Sequence, residues 1–162
     1  MRIAVAGLIL AGLTSAALAQ ETNVTLSQAG VPVLSLSVPA GSKVYPSQQK
    51  TTIVTPGMYL YVWGVPDAGK AADALPRVAT VIKGDVVDFK AGRTNAITVA
   101  GAPAFHLIGR GTEADDGDAS TADVVVFAAG KRVFVACVHG EGNDASLERQ
   151  PMLDALKTAK PR

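Results

Sequence analysis

Apolar and polar residues along this chain alternate mostly with a period of two, and only two stretches repeat at the helical period. Residues 24–28 and 31–38 predict strands, the second closed by Pro39-Ala-Gly41. Lys43-Val-Tyr45 is a short extended piece, Pro46 to Lys50 a loop, and Thr51 to Thr55 a β-branched strand. After the turn dipeptide Pro56-Gly57, Met58 to Val65 predicts a central strand, with Tyr59, Tyr61 and Trp63 on one face and Met58, Leu60 and Val62 on the other. Leu75, Val78, Ala79 and Ile82 fall on one helical face, predicting a helix over 74–83. Asp73 is its expected N-cap, Pro76 sits in its first turn and Gly84 stands at its C′ position.

Strands follow at about 85–90, 95–100, 104–110, 123–129 and 132–138. Val124 to Phe127 and Val133 to Val135 are the most apolar runs and are placed mid-sheet. A last helix covers 146–159, buried through Met152, Leu153 and Leu156, with its regular part beginning at Pro151. Strands, a helix, antiparallel strands and a closing helix together predict an α+β fold: one antiparallel β-sheet with helices packed on it.

Residues 1–19 break this pattern. Met1-Arg2, the apolar run Ile3 to Leu13, and Ala17-Leu18-Ala19 before Gln20 make a tripartite signal peptide. The apolar run is shorter than the roughly 20 residues a spanning helix needs. Cleavage after Ala19 leaves residues 20–162 as a single globular domain, expected to be periplasmic or secreted with no membrane anchor. Asn23-Val24-Thr25 fits a glycosylation sequon, which matters only in a eukaryotic host.

Composition narrows the function classes. Hydrophobic residues make up 48% of the chain and aromatics 5%, so the core rests on Val, Ile, Leu and Ala. Of 15 Lys/Arg and 14 Asp/Glu, only Arg2 lies within residues 1–19, so the mature part carries equal numbers of each sign. That balance argues against a nucleic-acid partner and against strong attachment to anionic membranes. The longest basic run is Lys131-Arg132. Cys137 is the only cysteine, so no disulfide forms within the chain.

The element order and several local stretches resemble the Mog1/PsbP-like superfamily of small α/β/α sandwich domains. The stretches are Val99-Ala-Gly-Ala-Pro-Ala-Phe-His-Leu-Ile-Gly109, the hairpin Val124 to Val138, the closing Met152-Leu-Asp-Ala-Leu-Lys157, and Leu36-Ser-Val-Pro-Ala-Gly-Ser-Lys-Val44. Ser42 stands where the group often has an aromatic residue after the opening glycine. The resemblance implies the sandwich fold. It implies no activity, since the superfamily spans photosystem accessory proteins, a nuclear transport factor and exported bacterial proteins without a known role.

Three residue sets have the chemistry for a site. Cys137 and His139, two apart on a strand, share a face. With His106 and Glu141 they have the donors for zinc or for a thiolate–imidazole nucleophile, although the spacing matches no zinc pattern. The plainer expectation is a buried thiol acting as a small hydrophobe. Glu113, Asp115, Asp116, Asp118 and Asp123 offer oxygen ligands for calcium but miss the EF-hand register, and a solvated hairpin loop is the expectation. Tyr59, Tyr61 and Trp63 form a stripe able to stack a flat ligand, or the core face under a helix.

No G-x-S-x-G, P-loop, H-E-x-x-H, C-x-x-C or dinucleotide fingerprint occurs, and no cofactor is expected. The leading expectation is a non-catalytic exported domain that binds an envelope protein partner. The alternatives are a metal-binding or thiol-dependent enzyme using His106, Cys137 and His139, and a small-ligand carrier using Tyr59, Tyr61 and Trp63.

Overall fold

The computed structural model describes residues 21–28, 31–55, 57–142 and 144–162. The signal peptide expected over 1–19 and the cleavage expected after Ala19 lie outside the described residues. Strands β1 (Glu21–Gln28), β2 (Val31–Pro39), β3 (Lys43–Pro46), β4 (Thr51–Thr55) and β5 (Met58–Val65) come first. Helix α1 (Ala71–Ala74), a 3₁₀ turn (Leu75–Arg77) and α2 (Val78–Ile82) follow. Then come β6 (Val86–Val99), β7 (Ala102–Glu113), β8 (Ala119–Ala129), β9 (Arg132–Glu141), α3 (Asp144–Lys157) and the short β10 (Lys160–Pro161).

The class is α+β, with a difference from the single sheet expected. A seven-stranded sheet runs β3-β4-β5-β9-β8-β7-β6, and a second, three-stranded sheet runs β1-β2-β10. Every pairing is antiparallel. As the apolar runs predict, β8 and β9 lie inside the large sheet, and residues 120–127 are buried without a break. A strand covered on both faces has no polar side to alternate with.

On one face, α1 and α2 seal a core of Trp63, Val78, Ile82, Phe89, Val124 and Val135. On the other, α3 and the small sheet close over Leu34, Leu36, Leu60, Phe127, Phe134 and Met152. Each such side chain, fully buried, contributes about 1.5–3 kcal/mol.

Four local expectations change. The helix predicted over 74–83 starts at Ala71 and is interrupted, because Pro76 has no N–H to donate and a 3₁₀ turn takes its place. Asp73 is not the N-cap but the third helical residue, where its carboxylate accepts the Lys70 backbone N–H at 3.1 Å. The strands expected at 85–90 and 95–100 are one strand, β6, carrying two bulges. Helix α3 runs through Pro151 rather than starting there, and Met152 and Leu156 are buried while Leu153 is only partly so. Among the described residues, no helix is long and apolar enough to cross a membrane.

Candidate functional site

Cross-strand register lays one row of side chains over the helix-bearing face of the large sheet. Tyr45 pairs with Thr52, Thr52 with Tyr61, Tyr61 with Cys137, Cys137 with Val124, and Val124 with Leu107. Because side chains alternate, Lys43, Val54, Tyr59, Trp63 and His139 share that face. Helix α1 packs on β7, β8 and β9, and α2 on β6 and β9. The β3-β4-β5 flank therefore keeps Tyr45 and Tyr59 in solvent, 53% and 55% exposed, while Trp63 is buried beneath the helices. The predicted stripe grades from solvent to core, with half-buried Tyr61 between.

Lys50 anchors the middle of this face. Its ammonium pairs with Asp85 and lies 4.5 Å from the Tyr61 ring centre and 5.7 Å from that of Trp63. A cleft of about 630 Å³ opens beside it, lined by Gln48, Gln49, Lys50, Trp63, Val81 and Asp85 among others. Sequence reasoning missed this pair, since nothing local links residues 35 apart. Burial, then the Asp85 charge, pushes the Tyr61 phenol up to about 12.

His139 stacks on Tyr61, with ring centres 5.2 Å apart and planes 19° from parallel. Its Nδ1 is 3.5 Å from Glu113 Oε1, an ion-pair distance, and neither ring nitrogen has a hydrogen-bond partner among the described residues. Cys137 shares the face, as its two-residue offset predicts, but is wholly buried. Burial first, then the charges of Asp85 and Asp123, drives its thiol well above the ordinary value.

The structure does not bring His106 to this pair. His106 pairs with Val125 across β7 and β8, and Val125 belongs to the core on the α3 side, whereas Val124 and Cys137 belong to the core under α1 and α2. His106 and Cys137 thus stand on opposite faces of the sheet. The three-residue metal or thiol centre is not assembled, and Glu141, exposed at the end of β9, does not complete it. His106 instead contacts Asp123 Oδ1 at 2.7 Å, with Arg149 of α3 3.7 Å from the same oxygen.

That contact also removes Asp123 from the acidic set. The other carboxylates gather at the β7–β8 turn in two overlapping groups, Glu113 with Asp115 and Asp116, and Asp116 with Asp118 and Glu141. Most are exposed, and the turn holds itself through Gly117 N–H to Glu113 O at 3.1 Å and Asp118 N–H to Asp116 Oδ1 at 2.9 Å. These carboxylates sit at the hairpin turn between β7 and β8.

No protein-family model matches this sequence, and no curated protein matches it. Among solved structures, it is similar to cyanobacterial PsbP (CyanoP) from Synechocystis sp. PCC 6803: TM-score 0.56, 12% identity, covering 94% of this chain and 99% of that one. It is also similar to a Pseudomonas aeruginosa protein of unknown function, with TM-score 0.51, 16% identity, and 88% and 97% of the two chains covered. LpqN of Mycobacterium tuberculosis, involved in cell envelope biogenesis, follows at TM-score 0.49 and 19% identity, over 88% and 90%. At such identities the likeness establishes the fold alone, and that fold is PsbP-like.

Proposed function

We propose that the mature chain is a non-catalytic binding module of the cell envelope, exported by its signal peptide, and that it docks a protein partner on the open β3-β4-β5 face. The observation that carries this reading is the exposure of Tyr45 and Tyr59 on one face beside half-buried Tyr61. Tyrosine gives a large contact area with a polar tip and is enriched in protein interfaces. Lys43, exposed on the same face, complements a partner with an apolar centre and a carboxylate at its rim.

The enzyme alternative loses its support from geometry: a thiol held protonated in the core, with His106 across the sheet, has no route to a substrate. A photo-crosslinking residue placed at position 59 in the producing cell tests the docking face. The reading expects a discrete cross-linked protein from position 59 and none from position 131 in the β8–β9 turn. Identical products from both positions, or none from position 59, would refute it.

A further inference from the structure

The fold builds a basic cluster that the sequence does not display. Strand β6 pairs with β7 through register shifts between Val87 and Lys90 and between Ala91 and Arg93. Lys90 stands directly opposite Arg110, and Arg93 opposite Ile108. Three steps on β6 thus match two on β7. Plain alternation turns residues 90 and 93 to opposite faces, and the extra residue returns Arg93 to the side of Lys90 and Arg110.

Glycine makes the bulge fit. A β-carbon at Gly109 lands 2.5 Å from the Lys90 carbonyl oxygen and from the Phe89 ring, and one at Gly111 lands 2.6 Å from the Val87 carbonyl oxygen. No side chain is accommodated there.

Lys90, Arg93 and Arg110 line a cleft of about 490 Å³ floored by Ala91, Gly92 and Ile108, with no carboxylate in its lining. All three cations are exposed, and none forms an ion pair among the described residues. Arg93 is oriented by its Nε donating to Asn95 Oδ1 at 3.1 Å. Like charges directly opposite on paired strands are destabilising, so a Lys90–Arg110 pair in which neither cation has an ion-pair partner among the described residues costs stability unless an anion joins it.

We propose that this cleft binds the phosphate group of a phosphate ester, with the ester's organic part resting on Ile108. Guanidinium groups grip phosphate oxygens in bidentate fashion and a lysine adds a point charge. The site is independent of the tyrosine face. A soluble ester and a lipid headgroup present the same chemistry, and two probes separate them: glycerol 3-phosphate, and vesicles of phosphatidylglycerol in phosphatidylcholine.

Titration of isotopically labelled protein followed by amide shifts is expected to move residues 90–93 and 108–111 saturably with one probe. Saturation by glycerol 3-phosphate assigns a soluble ester; binding to the anionic vesicles alone assigns a headgroup. Arg93→Gln and Arg110→Gln, each with a dispersed native spectrum, are expected to weaken that binding tenfold or more, and Lys43→Gln on the other face to leave it unchanged. The proposal is overturned if neither probe binds, or if binding survives both arginine substitutions.

Discussion

His106 Nε2 lies 2.7 Å from Asp123 Oδ1, and both side chains are buried between the large sheet and α3. The second carboxylate oxygen of Asp123 has no hydrogen-bond partner among the described residues. The imidazole is therefore the close partner of a fully buried acid, and Arg149, on a partly exposed side chain 3.7 Å away, is the weaker one. The contact ties β7 to β8 and sits where α3 packs.

Removing the imidazole leaves a buried carboxylate short of its main partner. His106→Ala is expected to destabilise by about 3 kcal/mol, roughly 10 °C in melting temperature for a chain of this size. His106→Ala/Asp123→Ala is expected to lose less than the sum of the two single changes, because the orphaned charge is gone. Additive losses in thermal unfolding contradict the pairing.

Cys137 is expected to resist alkylation in the native state at neutral pH and to react fully once denaturant unfolds the chain. Its burial excludes the reagent and holds the thiol protonated. Stoichiometric labelling by iodoacetamide under native conditions contradicts the buried placement and reopens the thiol chemistry.

Alkaline pH discriminates the environment of Tyr61. Its phenol is raised from 10.0 to about 12 in the folded chain, chiefly by burial. A group whose folded value is raised contributes stability fully below its unfolded value and loses that contribution as pH climbs toward the folded one. Stability is therefore expected to fall between pH 10 and about 12, and Tyr61→Phe to flatten that decline. Parallel melting-temperature profiles for the two proteins contradict it.

Gly109→Ala is expected to destabilise by more than the ~1–3 kcal/mol of ordinary overpacking, since the clash includes backbone and not only a side chain that can move. It is also expected to disturb the β6 bulge, visible as loss of the amide cross-strand contacts between Lys90 and Arg110. A neutral Gly109→Ala contradicts the close approach of β6 to β7.

The central strands were legible because their composition leaves little choice. Val124 to Phe127 has no polar face, and only a strand covered on both sides accommodates that. The face shared by Cys137 and His139 was legible too, since two residues on one strand carry their own parity. The face of His106 was not, because it depends on how β7 registers against β8, and register is a pairing property that no single strand encodes. The same limit hid the Lys90–Arg93–Arg110 cluster, where a one-residue bulge reverses parity within β6. Likewise β1 and β2 read as strands, but their separation into a second sheet with Lys160–Pro161 rests on long-range pairing.

The measurement closest to the central claim is native mass spectrometry of the protein purified gently from the envelope of its own host. Wild-type protein is expected to carry the additional mass of a protein partner, and Tyr45→Ser/Tyr59→Ser, with an unchanged melting temperature, to run as the bare chain of residues 20–162. A complex retained in full by the double variant contradicts docking on the β3-β4-β5 face, and a bare wild-type chain contradicts the partner itself.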